Sequence, residues 1–459
     1  MLTPRTLCAL CAVAGVLADD PRWPVRQHTF VLTDFGAVGD GVTINTGAFE
    51  RAVAAVAAAG EGELRVPADG VFLTAPFNLT SHMTLHLERN ATILGATDFA
   101  LWPVLQPLPS YGRGRDYPTQ GHYTSLVHGE GLADVAIVGA NGTIDGQGAA
   151  WWAAKEADDA ADELWRRRQQ QHGQGQGPPP PPVSHQLNYT RGHLVELLHS
   201  EDVLIDNVTL RNSPFWTVHP AYCDRVTARR LTILNPPHSP NTDGFDPDSS
   251  SNVLLEDAYF AVGDDGVAIK SGWDCFGTAR CGVGRPAENI TIRNLVVRSP
   301  TSAGLCLGSE MSGGIRNVTL DGATFVGVST GLRIKTARER GGFVEDVTAR
   351  NVVLHGVHTA IQVNAFYGGK NSRCAEPARA ACQNATLPPV VARISVSNWT
   401  GDGVVQAADL EGLADAPTTA ISVRDVHLEP AILGWKCSAV SGTAAGTVKP
   451  KPCAELVPV

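Results

Sequence analysis

The sequence has few charged side chains and few aromatic ones, which make up 18% and 6% of its 459 residues. So little charge is typical of a packed globular or elongated repeat protein and not of a disordered one. The formal net charge of −10 argues against nucleic acid or an anionic membrane as the main partner. A local basic pocket for an acidic substrate is compatible with this overall charge.

Long apolar runs are also missing beyond the first residues. No later segment reaches the about 18 uninterrupted apolar residues that a membrane-spanning helix needs, so we expect no membrane anchorage. The N-terminus, MLTPRTLCALCAVAGVLADD, combines Arg5, a short apolar run and the small-residue pattern Val16-Leu17-Ala18. This pattern predicts a secretory signal peptide over residues 1–18, followed by one secreted domain over residues 19–459.

Eight of the ten cysteines lie beyond the predicted signal peptide. An even number in a secreted chain suggests disulfides. The plausible local pairs are Cys275 with Cys281, Cys374 with Cys382, and Cys437 with Cys453. Cys223 and Cys306 lie in apolar or strand-like runs, and either a bridge or two buried thiols is compatible with that setting. Nine Asn-x-Ser/Thr sequons favour passage through a glycosylating secretory pathway.

From about residue 194 the chain repeats short β-branched runs that share one pattern. The equivalent positions, separated by steps of 23, 27, 37, 28 and 29 residues, are Val203, Val226, Val253, Ile290, Val318 and Val347. The longest step contains GWDCFGTARCGVGRP, which we interpret as an inserted loop. Periods in the 20s with no helical pattern between the strands predict stacked coils. We therefore expect an all-β, single-domain, right-handed parallel β-helix, a solenoid of the pectin-lyase-like kind.

Two segments differ from this repeat. TINTGAFERAVAAVAAAGEG predicts an Ala-rich helix that ends at Gly60 and caps the open end of the solenoid. The segment at about 155–185 is charged and then rich in Gln, Gly and Pro. That composition predicts a low-complexity, partly disordered surface loop.

Stacking has a consequence for the acidic stretch 239–266. Equivalent positions on adjacent coils lie about 4.8 Å apart. Asp243 precedes Asp264 and Asp265 by 21 and 22 residues, about one coil, so the three carboxylates are predicted to form one patch. Like charges at that distance raise at least one pKa, which suits a general acid beside a general base.

The other acids of this stretch have structural interpretations. Asp246 and Asp248 lie in DPDSS, which is typical of a turn. Glu256 and Asp257 follow an apolar run and are predicted to cap or end a strand.

A cationic pair is predicted further along the stack. Arg333 and Lys335 are two residues apart on one strand and therefore share a face, and Tyr367 follows on the next coil. A stripe that leads from acids to cations suits an extended anionic polymer, because Arg333 can grip a carboxylate in bidentate fashion and Lys335 adds a point charge.

In this order, NTDG, GDD and RIK resemble the polygalacturonase family, glycoside hydrolase family 28. FGAVGDG, GTIDGQGAAWW and NSPFWTVHP match as well, and SGWD, GSEMSGG and KPKPC resemble its plant-type branch. The resemblance extends from about residue 30 to 453. It implies a hydrolase secreted to the cell wall that cleaves α-1,4-galacturonosidic bonds of pectin with inversion and without a cofactor or metal.

The resemblance also implies residue roles. Asp264 would be the general acid, Asp243 and Asp265 would activate water, and Arg333 and Lys335 would bind a substrate carboxylate. Tyr367 matches a subsite tyrosine. We expect a monomer whose partner is an acidic pectic polysaccharide, with no nucleic acid or membrane involved.

One departure concerns a family histidine in a GHG motif, where this chain has Ser302, Ala303 and Gly304. His219, on the coil before Asp243, is a candidate substitute.

The departure leaves two alternatives: a catalytically weak pectic-glycan-binding β-helix, or a hydrolase of rhamnogalacturonan or xylogalacturonan. A calcium-dependent lyase is a third, because clustered Asp could bind Ca²⁺. The loops 105–122 and 273–286 could close one end of a groove, which favours exo action.

Overall fold

The computed structural model describes residues 25–112, 121–173, 185–279, 283–368, 388–429 and 431–459. The predicted signal peptide over residues 1–18 and the Cys374 with Cys382 pair lie outside these ranges, as does Cys281.

Parallel strands dominate the fold. The largest sheet in the described residues has 19 strands. Its strands, in chain order, are Thr29–Val31, Gly62–Val66, Val71–Thr74, Met83–Leu87, Thr92–Gly95, Ala133–Gly139, Thr143–Asp145, Glu201–Asp206, Thr209–Arg211, Asp224–Arg229, Thr232–Leu234, Ser251–Ala261, Ala287–Arg298, Ile315–Val326, Phe343–His355, Val390–Asp402, Thr418–Glu429, Val440–Lys449 and Leu456–Pro458. The prediction of an all-β parallel β-helix is confirmed.

A second face, which we call the floor, consists of two parallel sheets in line. The first has the strands Phe77–Asn78, Val127–Glu130, Val195–Leu198 and Val218–Ala221, and the second has Val267–Ile269, Ala303–Leu307, Thr330–Lys335, Thr359–Asn364, Gln406–Glu411 and Leu433–Ser438. Segment 245–248 links the two sheets through isolated bridges to Val218, Ala221, Val267 and Lys270. The floor is therefore one ladder of stacked coils.

The predicted column of equivalent positions is confirmed residue by residue. Each member pairs with the next, from Val203 to Val347, and all six side chains are buried in the main core. Alternating strand residues point inward, so the stacked β-branched side chains fill the interior of the solenoid.

The N-terminal helix Thr46–Ala59 caps this core as predicted. It buries Phe49, whose ring stacks on Phe77 with centroids 4.3 Å apart. Gly60 ends the helix in the left-handed region, at φ 86°. The remaining helical elements are the α-helices Ala149–Gly173 and Asp274–Gly277 and the 3₁₀ helices Leu32–Phe35, Phe99–Leu101, Pro109–Tyr111 and Arg338–Arg340.

The structure corrects two predictions. The segment predicted as a low-complexity loop begins inside the helix Ala149–Gly173, because its first part is rich in Ala, Glu, Arg and Gln, which are good helix formers. Residues 174–184 lie outside the described ranges. Glu256 and Asp257 do not end a strand: both lie within Ser251–Ala261, where Glu256 accepts a hydrogen bond from Arg293 on the next coil.

The cysteines divide as follows. Cys437 and Cys453 form the predicted disulfide, and Cys275 is disulfide-bonded. Cys223 and Cys306 are buried free thiols, which decides between the two interpretations left open for them.

Stacked asparagines bend successive strands of the long sheet. Asn252, Asn289 and Asn317 adopt φ values of 57°, 57° and 53°, a left-handed conformation that Asn tolerates better than most residues. Asn289 donates to the side chain of Asn252 at 3.2 Å and accepts from Asn317 at 2.7 Å. The ladder satisfies amide groups at a corner that every coil must turn.

We predict that Asn289→Ala destabilises the fold more than Asn289→Gly does, by about 0.5–1 kcal/mol. Both variants lose the ladder, but only alanine is strained at positive φ, a cost partly offset by the greater entropy of unfolded glycine. Urea unfolding of protein made in a host that does not glycosylate measures the difference. A glycine variant less stable than the alanine variant contradicts the prediction.

Candidate active site

The floor carries a row of outward-facing side chains at equivalent register. Neighbouring coils place His128, Glu196 and His219 in line, and Asp246 follows because Val218 pairs with Phe245. The row continues through Ala268, Cys306 and Arg333. Functional side chains far apart in the sequence are thereby placed about 4.8 Å from one another along the stack.

Three acids meet beside this row. Carboxylate oxygens of Asp243, Asp264 and Asp265 all lie within 4.8 Å of one another, so the structure brings together the patch predicted from their spacing. The Gly244 amide donates to the Asp265 carbonyl at 3.0 Å, which joins the two coils. Asp243 and Asp265 are buried, whereas Asp264 is partly exposed.

Asp265 is the acid most strongly held as an anion. Lys335 Nζ lies 2.7 Å from its Oδ2, the Ala303 amide donates to its Oδ1 at 3.0 Å, and the Ser302 hydroxyl donates to the same oxygen. Burial alone would raise the pKa of Asp265, but the Lys335 charge and these hydrogen bonds lower it to about 2.

The other two acids shift in the opposite direction. Burial and the adjacent Asp265 raise the pKa of Asp264 above its usual value. Burial, together with Asp264 and Asp246, raises the pKa of Asp243 well above its usual value. One cluster thus contains a carboxylate that stays ionised and two acids that keep their protons to higher pH, the division that acid and base roles require.

A second lysine balances the cluster from the other side. Lys270 Nζ lies 3.6 Å from Asp243, 3.4 Å from Asp246 and 3.3 Å from Glu310. It also lies 4.1 Å from the centre of the Trp216 ring. Of these five residues, only Asp243 was predicted as a site residue. The sequence analysis did not predict a site role for Lys270, Asp246, Glu310 or Trp216.

Lys270 nevertheless has a sequence signal. It ends GVAIK as Lys335 ends GLRIK, and both align with Gly308 in the floor ladder. The position of Lys270 in the cluster could therefore have been predicted from the repeat, whereas no repeated motif predicts its partner Glu310.

Asp246 and Asp248 do not form a turn, which corrects the prediction. Both are fully buried in the bridging segment 245–248. Burial raises the pKa of Asp246 to about 7, against the nearby positive charges of Lys270 and His219. Asp248 accepts a hydrogen bond from the Tyr111 hydroxyl.

Arg333 and Tyr367 lie on the opposite side of the acids from Trp216. The Arg333 guanidinium and Lys335 Nζ lie 5.1 and 5.2 Å from the centre of the Tyr367 ring. Arg333 and Tyr367 are half-buried, and within the described ranges Arg333 forms no ion pair. Its charge can therefore receive an anionic ligand, while Lys335 is already paired with Asp265.

His219 does not take the place of the missing family histidine. It is buried between Glu196 and Asp248, with Nδ1 2.9 Å from Glu196 Oε1 and Nε2 3.5 Å from Asp248 Oδ2. Burial lowers the pKa of His219, but these two carboxylates raise it overall to about 9. At the position where the family histidine is missing, the Ser302 hydroxyl donates a hydrogen bond to Asp265.

A short segment crosses the floor, and we call residues 105–112 the strap. Its base pairs Leu105 with His122, and His122 in turn bridges Thr190, ahead of the floor strand Val195–Leu198. Its tip lies beyond the opposite ends of the floor strands, where Ser110 bonds Tyr222 and accepts from the Trp273 amide at 2.9 Å. The strap therefore crosses the floor on the side of the acid cluster toward the chain's N-terminus.

Comparison with known proteins gives a consistent family. The family model described as "Glycosyl hydrolases family 28" matches residues 175–446. A Vitis vinifera protein named "Probable polygalacturonase" is 42% identical over 438 residues, which are 94% of this chain and 81% of that protein.

The chain belongs to glycosyl hydrolases family 28.

Two further proteins are similar to this chain. The crystal structure of a hyperthermoactive exopolygalacturonase from Thermotoga maritima has a TM-score of 0.76 and 31% identity, covering 92% of this chain and 91% of that one. An endo-polygalacturonase of Pectobacterium carotovorum is 29% identical over 67% of this chain and 68% of that protein. As a family 28 member, the chain is a glycoside hydrolase that acts on O-glycosyl bonds.

Metal binding at the acids has to compete with lysines. The three carboxylates are close enough to share a cation, but Lys335 and Lys270 already supply positive charge to Asp265 and Asp243. The calcium-dependent lyase alternative does not fit the family assignment. Among the described residues, no helix combines the length and apolar character needed to span a membrane.

We predict that Lys335→Met moves the acidic limb of the pH–activity profile to higher pH. Loss of the ammonium raises the pKa of Asp265, so this acid takes up its proton at a higher pH than the native value of about 2. kcat for one oligogalacturonide is measured between pH 2 and 7. Lys335→Arg, which keeps the charge, is the control, and equal acidic limbs in all three proteins contradict the assignment.

Proposed function

We propose that this chain is a secreted hydrolase that cleaves α-1,4-galacturonosidic bonds of pectic polymers from one chain end, by inverting general acid/base catalysis. The proposal rests on the acid cluster, in which the pKa of Asp265 is lowered and that of Asp264 is raised. The cluster lies in a groove that leads to Arg333. Relatives named polygalacturonase supply the substrate class. The sequons and the N-terminal pattern support secretion to the cell wall.

Asp264 is the proposed general acid. It is the one member of the cluster that is partly exposed, and its raised pKa keeps a proton available. In the proposed step, the bond between the anomeric carbon and the glycosidic oxygen breaks, and the leaving oxygen takes the Asp264 proton. A carboxylic acid with a raised pKa fits this task.

Asp265 is the proposed base, with Asp243 as its partner in holding the attacking water. Water adds to the anomeric carbon and its proton goes to Asp265, which stays ionised because of Lys335 and Ser302. Inverting enzymes commonly hold their two carboxyl groups about 6.5–9.5 Å apart. The closest oxygens here lie within 4.8 Å, so inversion rests on the family and on the two-acid water site.

Arg333 is the proposed site for a substrate carboxylate. Its guanidinium is supported by the Tyr367 ring at 5.1 Å, and a planar guanidinium binds carboxylates in bidentate fashion. Lys335 matches the same family role, but its 2.7 Å contact with Asp265 gives it a first task in keeping that acid ionised.

The strap supports end-on action. A polymer that runs through an open groove can be cut anywhere, whereas a groove closed beside the acids admits only a chain end. The similar Thermotoga protein is an exopolygalacturonase and the similar Pectobacterium protein is an endo-polygalacturonase, so kinship alone does not decide between the two modes. The contacts of Ser110 and Tyr111 support the exo mode.

We predict that digestion of polygalacturonate releases short products of one length from the start, without a ladder of intermediates. Chromatography of products at under about 5% conversion tests this, and NMR of the first product tests the anomeric outcome, expected to be β. Asp264→Asn should lower kcat by about 10²–10⁴-fold. An early ladder of many lengths contradicts the exo mode, and equal activity of Asp264→Asn contradicts the acid assignment.

We predict that Arg333→Ala raises KM for oligogalacturonides by about tenfold or more, because a charge-assisted bidentate contact is lost. Arg333→Lys should recover part of the affinity, since it keeps the charge but not the fork. Steady-state kinetics at fixed ionic strength measure both variants. An unchanged KM in Arg333→Ala assigns the substrate carboxylate to another group.

A further inference from the structure

Asp246 is a buried acid beside the active site to which the proposed mechanism gives no task. Its side chain is fully buried in the bridging segment 245–248. Among the described residues it is the one acid in which both carboxyl oxygens are fully enclosed and lack a hydrogen-bond partner. Buried polar atoms nearly always have a partner in native proteins, so the protonation state of Asp246 has to account for this exception.

The charges next to Asp246 do not balance. Lys270 Nζ lies 3.3 Å from Glu310, 3.4 Å from Asp246 and 3.6 Å from Asp243, so one ammonium group faces three carboxyl groups. Three ionised acids would leave two negative charges away from water without a counter-charge, which is costly. At least one of these acids therefore holds a proton.

Hydrogen bonds show which acids lack a donor. Glu310 accepts from the ammonium at 3.3 Å, and Asp248 accepts from the Tyr111 hydroxyl. Asp243 resembles Asp246, because its Oδ1 is also buried and unpaired. These two acids are thus the pair for which the surrounding side chains supply too few donors.

A proton shared by the two acids removes this deficit. Asp243 and Asp246 lie within hydrogen-bonding reach of each other. Two carboxylates repel at that range, whereas a protonated carboxyl group donates to a carboxylate in a charge-assisted hydrogen bond. Burial raises the pKa of Asp246 to about 7, which keeps such a proton in place at acidic pH. One proton then leaves a single negative charge on the pair.

The other charged groups that face Asp246 do not supply the missing counter-charge. Those of its own segment and of the elements packed against it are His219, Asp243, Asp248, Asp265, Lys270 and, through Lys270, Glu310. His219 is positive, with its pKa raised to about 9, but two carboxylates, Glu196 and Asp248, flank it. Asp265 is balanced by Lys335.

We propose that Asp246 is a positioning residue of the active site: it carries a proton that it donates to Asp243, so the two acids hold one proton and one negative charge between them. The proposal rests on the function above and deepens it, because it concerns how Asp243 helps to hold the attacking water. The shared proton engages one oxygen of Asp243 and leaves the other for the water. It also lowers the repulsion between Asp243 and the neighbouring Asp264 and Asp265.

Carbon-13 NMR of protein labelled at the aspartate carboxyl carbons tests the shared proton, with Asp246 assigned by its loss in Asp246→Asn. Asp243 and Asp246 should respond to the same two pH steps, because each step belongs to the pair. In Asp243→Asn the pKa of Asp246 should be lower than in wild type, since a like charge is gone and Lys270 remains. An Asp246 that titrates alone in the ordinary aspartate range, or unchanged in Asp243→Asn, overturns the proposal.

Kinetics on trigalacturonate test the positioning role. Asp246→Asn keeps an N–H that can donate to Asp243, so its kcat should stay within about threefold of wild type. Asp246→Leu, of similar size but without a donor, should lower kcat about 10–100-fold with KM within about twofold. Asp206→Asn changes a fully buried acid of the long sheet and is the matched control, with kcat expected within about twofold of wild type.

Urea unfolding establishes which variants are folded under the assay conditions, and kcat is compared among those alone. An Asp246→Leu protein that keeps its kcat overturns the positioning role. An Asp246→Asn protein that loses as much kcat as Asp246→Leu overturns it too, because the donor is then not what matters. Where Asp246→Leu does not fold, the titrations of wild type and Asp243→Asn decide the proposal.

The outcomes separate this inference from the proposed function. Wild type that leaves galacturonan uncut overturns the function, and the titration then decides the shared proton without any activity: common pH steps for Asp243 and Asp246 support it, and separate ones overturn it. Wild type that cleaves galacturonan while Asp246 titrates alone in the ordinary aspartate range overturns the inference and leaves the function intact.

Discussion

Hydrogen bonding of each coil to the next is the constraint on which the rest of this molecule depends. It fixes equivalent residues about 4.8 Å apart, so any side chain that faces outward on one coil has a close neighbour on the next. In the core this repetition produces a continuous apolar column. On the floor the same repetition places acids, lysines and histidines in contact, although they are separated by 20 to 70 residues of sequence.

Ionisable side chains can stack this closely only where positive and negative groups are neighbours, or where some of the acids stay protonated. In the row on the floor, Glu196 is paired with His219, whose pKa is raised to about 9, while burial lowers the pKa of His128 and raises that of Asp246 to about 7. The three clustered acids solve the same problem with two lysines, one on each side. The unequal positions of those lysines divide the acids: Asp265 is tightly paired and stays ionised, while Asp243 and Asp264 tend to keep protons. Groups with catalytically useful pKa values thus arise from the packing rules that stabilise the fold.

Much of this arrangement could be predicted from spacing. The Val203 to Val347 column and the meeting of Asp243 with Asp264 and Asp265 follow from one period read along the chain, and the capping helix follows from its Ala-rich pattern and Gly60. Asp246 and Asp248 could not be predicted as buried site residues, because DPDSS has the composition of a surface turn and only the bridging coil reveals their burial. The strap was anticipated only as a long loop. Its crossing depends on contacts of Ser110 and Tyr111 with residues more than 100 positions away, which have no periodic signature.

The central claim is that stacking of the coils gives Asp265 a lower pKa than Asp243 and Asp264, although the three acids form one cluster. A direct titration tests it. Carbon-13 NMR of protein labelled at aspartate carboxyl carbons, assigned with Asp243→Asn, Asp264→Asn and Asp265→Asn, follows each group from pH 2 to 8. The account predicts that Asp265 stays ionised down to about pH 2, while Asp264 and Asp243 titrate above the usual aspartate range. Three acids that titrate together near the ordinary aspartate pKa would contradict it.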